Sequence, residues 1–184
     1  KTRTDLEKLI ENNNFGYWMR TGNKSTNDGT GLRYENVFNQ NEMRNEKRII
    51  SHARNEPNID SVIGKDGKKY SISDALEKKI DWIQIDIGFL SEQEKDTVLN
   101  LCGYAVVNGS HTVMGEIMGG KSKPIIGIPI YDEHTNNIKW AQEKNLGVLA
   151  IKTKHVISAI SKIKENYDDY EDNLKDFSKN FIPN

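Results

Sequence analysis

Cysteine is almost absent from this chain. A single residue, Cys102, among 184 positions excludes a disulfide scaffold and a multi-cysteine zinc site within one chain. There is no excess of one charge either. The 26 Lys+Arg face 27 Asp+Glu for a net charge of −1, whereas a dedicated nucleic-acid binder would show a basic excess or stripe. No apolar run approaches the roughly 18–20 residues that span a bilayer, and no signal-peptide pattern opens the chain. Apolar residues make up 35%, which even with 14 Gly stays slightly below the globular average. Asparagine, by contrast, is abundant: of 20 residues, 11 fall within the first 60, which marks a loop-rich front. The expectation is one soluble domain of cytoplasmic type, alone or with a small subdomain, long enough to bury a core. The chain opens on Lys1 rather than Met, which reads as a boundary within a larger protein.

Along the chain, Leu6, Leu9 and Ile10 suit one side of a short helix ending at Asn12-Asn13-Asn14, and Tyr17-Trp18-Met19 reads as a buried strand. The stretch Thr21–Gly31 holds three Gly among Ser, Thr and Asn, and is either a solvated loop or one facing a phosphate. Arg48 to His52 reads as a strand, Asp66-Gly67 as a hairpin turn, and Ser73 as the cap of a short helix through Glu77. Ile80 to Ile87 alternates apolar and polar residues as a strand does, and Ser91-Glu92-Gln93-Glu94 opens a helix with a capping box. Tyr104 to Val107 is an apolar strand. Helix is expected over Thr112 to Met118, strand over Pro124 to Ile130, helix over Thr135 to Lys144, strand over Leu146 to Ile151 and helix over His155 to Lys164. The tail from Glu165 reads as a last helix with its partner elsewhere.

Short apolar strands separated by helices of about ten residues indicate an α/β fold, with a doubly wound, mostly parallel sheet and helices on both faces. In such sheets ligands sit beyond the carboxyl ends of the strands, which selects Thr21–Gly31, His52–Pro57, Asn108–His111 and Tyr131–His134. Asn108-Gly109-Ser110-His111-Thr112 follows a buried strand and opens a helix. Its free N–H groups and the positive helix end suit an anion such as a diphosphate, with plain capping by Ser110 or Thr112 as the alternative. It is neither a Walker loop nor a full dinucleotide fingerprint. Glu116, one turn further, is a lone acid among Met114, Gly115, Ile117 and Met118, suited to a ribose diol or simply exposed. Asp132-Glu133-His134 offers groups for sugar hydroxyls or caps the next helix. A metal reading of His111, His134, Glu116 and Glu133 lacks a helical His-x3-His or a Cys pair to support it. His52 ends a strand at the binding edge, His155 suits a structural imidazole, and Cys102 an inert core thiol in a helix.

Taken in order, Val107 to Glu116 (Val-Asn-Gly-Ser-His-Thr-Val-Met-Gly-Glu), Lys123-Pro124 through Pro129, Asp132-Glu133-His134-Thr135-Asn136-Asn137 and Leu146-Gly147-Val148 carry a likeness. The chain resembles the donor-binding, C-terminal half of two-domain B-fold glycosyltransferases. It is similar to the lipid-linked N-acetylglucosamine transferase of cell-wall synthesis and to archaeal relatives. The family pattern runs Gly-Gly-His-Thr-x3-Glu, Gly-Lys-Pro-x4-Pro, Glu-Gln-x2-Asn-Ala and Gly-x-Gly, and the likeness covers about residues 80–160. Carried over by position, it puts Gly109, Ser110, His111 and Thr112 at the donor diphosphate and Glu116 on the ribose hydroxyls. Glu133, His134 and Asn137 fall at the donor sugar, and Gly88-Phe89 near the base. The chain departs from the pattern where Ser110 replaces Gly, His134 replaces Gln, Ile138 follows Asn137 and Asn145 replaces a late Gly.

The resemblance implies a nucleotide-sugar-binding Rossmann-like domain over 1–164 and a helical tail over 165–184. It implies a UDP-sugar as donor substrate, no cofactor or metal, and transfer to an acceptor held by a missing N-terminal domain or subunit that carries the catalytic base. It places the enzyme in the cytoplasm, peripheral to a membrane where the acceptor is membrane-associated. A UDP-sugar 2-epimerase-like enzyme and a non-catalytic soluble subunit of a split transferase are the alternatives.

Overall fold

The computed structural model describes residues 4–9, 15–20, 49–53 and 60–181. Two compact units divide the chain, Lys1–Gly103 and Tyr104–Asn184. The glycine-rich stretch at 21–31, and the 52–57 segment beyond Ala53, lie outside the described residues.

In the first unit, α1 (Thr4–Leu9) precedes β1 (Phe15–Arg20), β2 (Ile49–Ala53), β3 (Asp60–Gly64), β4 (Lys69–Tyr70), α2 (Ile72–Glu77), β5 (Trp82–Ile87) and α3 (Glu92–Leu101). The strand order is β4-β3-β5-β2-β1. Strands β1, β2 and β5 are parallel, whereas β3 runs antiparallel to both β5 and β4. Registered neighbours Ile50, Ile85 and Val62 form a fully buried apolar row. Each such side chain contributes about 1.5–3 kcal/mol relative to exposure. One residue on, the register aligns Ser51, Asp86 and Ser61, a polar row in which both serine hydroxyls are buried without a hydrogen-bond partner among the described residues.

The β3–β4 hairpin turns at Asp66-Gly67. Gly67 has φ +77, and Asp66 accepts from the Lys68 N–H at 3.0 Å and from the Tyr70 hydroxyl. Ser71, not Ser73, caps α2, accepting from the Asp74 N–H at 3.1 Å; the cap sits two residues earlier because Ile72 is already helical. The capping box of α3 is complete. Ser91 Oγ accepts from the Glu94 N–H at 3.3 Å, and Glu94 Oε2 accepts from the Ser91 N–H at 2.8 Å.

The second unit begins inside β6 (Cys102–Val107), every residue of which is buried, as expected of a parallel strand covered on both faces. Cys102 is the first residue of that strand rather than part of the preceding helix, and it is buried and in no disulfide. Helix α4 (His111–Met114) follows and passes directly into a π-helical segment, Gly115–Gly120. Then come β7 (Ile125–Gly127), α5 (Asp132–Glu143), β8 (Gly147–Leu149), a 3₁₀ turn (Thr153–His155), α6 (Val156–Glu165) and α7 (Tyr167–Lys179). Strands β6, β7 and β8 are parallel in that order. Strand β7 stops short of the expected Ile130, and Pro129, with no N–H to donate, could not continue its ladder. The α/β expectation, a mostly parallel Rossmann-like sheet, holds.

Helix α6 buries Val156, Ala159, Ile160 and Ile163, the spacing of a single apolar stripe. Helix α7 finds its partner within its own unit. Tyr170 and Leu174 are buried, the Phe177 ring meets Trp140 of α5 edge-on at 5.8 Å, and Phe181 lies against Gly115 and Gly119. A side chain at Gly119 would occupy the space of the Phe181 ring, so glycine there permits the approach. No helix among the described residues is long and apolar enough to cross a membrane.

Candidate functional site

Beyond the carboxyl end of β6, Asn108 makes an Asx turn in which its Oδ1 accepts from the Ser110 N–H at 3.0 Å. Between them Gly109 adopts φ +87. A Cβ at this position would fall within 2.6 Å of Ile138 Cγ1 and 3.1 Å of the His134 carbonyl. Glycine is therefore required twice, by conformation and by space. Helix α5 also fixes the loop directly, because Asn137 Nδ2 donates to the Gly109 carbonyl at 3.1 Å. One helix thus bonds the loop through the Asn137 amide and, through the His134 backbone and the Ile138 side chain, leaves no room for a side chain at 109.

Ser110 occupies the cap position of α4 with φ −63 and ψ 141, yet its side chain makes no capping bond. The first intrahelical bond runs from the Met114 N–H to the Ser110 carbonyl at 3.0 Å, so the N–H groups of His111, Thr112 and Val113 precede the helical ladder. The positive end of the helix adds to their pull on an anion. Of the two readings left open for this loop, capping by Ser110 is not what the side chain does.

His111 and Thr112 are exposed, Ser110 half-buried and Gly109 buried. Glu116 is half-buried and falls within the π segment. Such segments are rare and frequent at functional sites. Glu133 is exposed, while His134, one residue on, is 8% exposed and its Nδ1 has no hydrogen-bond partner. Its ring meets Tyr131 edge-on at 5.2 Å. Burial holds the imidazole below its ordinary pKa of 6.5, with the Glu133 carboxylate pulling the other way.

In the first unit, Gly88 is buried just beyond β5 and its N–H donates to Asp60 Oδ1 at 3.3 Å. Phe89 beside it is 60% exposed. His52 is buried within β2, and His155 is a half-buried residue whose carbonyl accepts from Ser158 Oγ at 2.9 Å. Among the described residues no three His, Cys, Asp or Glu gather closely enough to hold a metal ion.

The second unit thus brings together Gly109, Ser110, His134 and Asn137, with His111 and Thr112 at the open helix start. Sequence reasoning missed Ile138, whose side chain fills the space a residue larger than glycine would need at 109. It registered Ile138 only as a departure from the Ala of the pattern. It also missed the structural use of Asn108, although Asn-Gly is itself a turn signal.

No family profile matches the sequence, and no curated protein matches it. Solved structures do match in fold. Os79 from O. sativa, solved in complex with UDP and deoxynivalenol-3-glucoside, aligns with a TM-score of 0.64 at 12% identity, over 96% of this chain and 40% of its own. The spinosyn forosaminyltransferase SpnP aligns at 0.61 and 9% identity, over 95% and 41%. The glycosyltransferase SsfS6 of Streptomyces sp. SF2575, complexed with thymidine diphosphate, aligns at 0.56 and 10% identity, over 90% and 36%. The chain has a fold found in glycosyltransferase structures and spans about two-fifths of their length.

Proposed function

We propose that the chain is the nucleotide-sugar-binding part of a glycosyltransferase, with a UDP-sugar as donor. The observation that carries this reading is the Gly109 loop, hydrogen-bonded to α5 at a helix start whose first N–H groups precede the ladder and whose cap side chain makes no capping bond. In this reading the donor diphosphate lies against Gly109, Ser110, His111 and Thr112, Glu116 accepts from the ribose hydroxyls, and Glu133, His134 and Asn137 border the donor sugar. The exposed Phe89, after Gly88, is the proposed contact to the base.

The reaction is displacement at the anomeric carbon. The acceptor oxygen bonds to that carbon as its bond to the diphosphate oxygen breaks. The acceptor proton passes to a base on a second, acceptor-binding domain or subunit. The charge that develops on the leaving diphosphate is met by fixed N–H dipoles, which need no reorganisation as the bond breaks.

Calorimetric titration of the chain with UDP, and in parallel with thymidine diphosphate, tests this. Saturable UDP binding is expected, weakened about tenfold or more, or at least 1.4 kcal/mol, by Glu116→Ala. No heat at millimolar nucleotide would overturn the reading, and equal binding of both nucleotides would remove the assignment of the base.

A further inference from the structure

Beside the Gly109 loop lies a cavity of about 280 Å³ whose purpose the donor-binding reading does not explain. Its walls are Met114, Met118, Trp140, Phe177 and Phe181, contributed by α4, the π segment, α5 and the end of α7. No Lys, Arg, Asp or Glu lines it. Thioether and aromatic walls adapt to apolar groups of varied shape, and they offer no counter-charge to an ionic ligand. Among the described residues, the polar groups on its walls are the His111 and Asn137 side chains and the indole N–H of Trp140. His111 is the first residue of α4, directly after the Gly109 loop, and Asn137 on α5 donates its Nδ2 to the Gly109 carbonyl. The cavity therefore adjoins the proposed diphosphate loop at these two residues.

Trp140, 43% exposed, stands at this cavity with Phe177 edge-on to it.

We infer that this cavity receives an apolar group of the acceptor, such as a branched aliphatic chain or a flat ring, and so gives the donor-binding chain a share in acceptor choice. The inference rests on the transferase reading for the word acceptor, but the cavity's preference for an uncharged apolar ligand stands separately. A sugar ring stacked on Trp140 is the competing occupant. The scarcity of polar atoms along the walls argues against it, because a buried saccharide leaves hydroxyls that need partners.

Geraniol, a ten-carbon branched alcohol, and methyl β-glucoside serve as probes. Each is titrated by calorimetry into the 184-residue chain, into Trp140→Ala and into Phe177→Ala, with UDP titrated in parallel and folding of each variant checked by circular dichroism. Saturable geraniol binding in the millimolar range or tighter, weakened at least fivefold in both variants, is expected. UDP binding is expected to change less than twofold in the variants. No geraniol binding, binding unchanged in folded variants, or tighter binding of the glucoside overturns the cavity assignment. UDP binding with no geraniol binding overturns the cavity and leaves the transferase reading intact. Geraniol binding with no UDP binding overturns the acceptor role and leaves an apolar-ligand site. Should both variants fail to fold, the blue shift of Trp140 emission on adding geraniol to the parent chain, resolved against a Trp140→Phe control, decides the matter. A shift that persists in that control sinks the proposal.

Discussion

Gly67 in the first unit and Gly109 in the second share a left-handed backbone, φ +77 and +87, yet they sit in opposite surroundings. A Cβ at Gly67 would meet nothing within 4 Å, whereas one at Gly109 would collide with Ile138. The hairpin glycine serves a turn. The loop glycine serves a turn and a packed contact at once. Polar groups follow the same division. The first unit carries Ser51 and Ser61 inside its sheet, without partners among the described residues, whereas the second keeps β6 and β7 apolar throughout and sets its polar groups beyond the strand ends.

The sharpest test of this contrast is to place alanine at both glycines. Gly109→Ala is expected to cost about 2–5 kcal/mol, the sum of left-handed strain and overpacking, and Gly67→Ala only about 1–2 kcal/mol. Chemical denaturation measures both. Adding Ile138→Ala to Gly109→Ala should recover part of the loss, a coupling read from the double-mutant cycle. Equal costs at the two glycines would refute the packing argument.

Next come the two helix starts. Ser91→Ala removes a complete capping box and should cost about 1 kcal/mol. Ser110→Ala removes no capping bond and should stay within about 0.5 kcal/mol, while weakening UDP binding. A stability loss at Ser110 as large as at Ser91 would return that serine to a plain cap. A smaller effect of opposite sign is expected inside the first sheet. Ser61→Ala deletes a buried hydroxyl without a partner and should be neutral or stabilise by up to about 1 kcal/mol in thermal melts.

The smallest effect is on pH. His134 is held below its ordinary 6.5 by burial, so the unfolded chain takes up a proton before the folded one does. Stability associated with this residue is complete above 6.5 and declines as pH falls below it. Melting temperatures of the parent chain between pH 7 and 5 should show that decline, and His134→Gln should flatten it. A parent and variant with parallel pH profiles would assign the decline elsewhere.

The second unit was the more legible in sequence. Val106-Val107 and Ile125-Ile126 lie where both sheet faces are covered, so apolar runs announced them, and the stretch from Asn108 to Thr112 was read as leading from strand to helix, though without its Asn-Gly turn. In the first unit the capping box at Ser91 and the Asp66-Gly67 turn were read directly, because each is set by residues a few positions apart. What depends on distant residues was not visible. Nothing local foretold that Ile138 would fill the space beside Gly109. Nor did anything local show that α7 would pack against its own unit through Phe177 and Phe181. The helix from Thr112 was seen, but not its π geometry, which no local pattern signals. His134 was expected just before a helix starting at Thr135, whereas that helix starts at Asp132 and buries the His134 side chain.

The π segment has a consequence for how this stretch tolerates change. Each of its turns closes a ring one residue longer than an α turn, so a chain one residue shorter between Gly115 and Gly120 can close as ordinary α-helix without breaking the element at either end. Substitution meets a harder limit, because a side chain at Gly119 has nowhere to go while Phe181 occupies its trough. Here chain length is the soft variable and side-chain volume the hard one, the reverse of what holds in most helices.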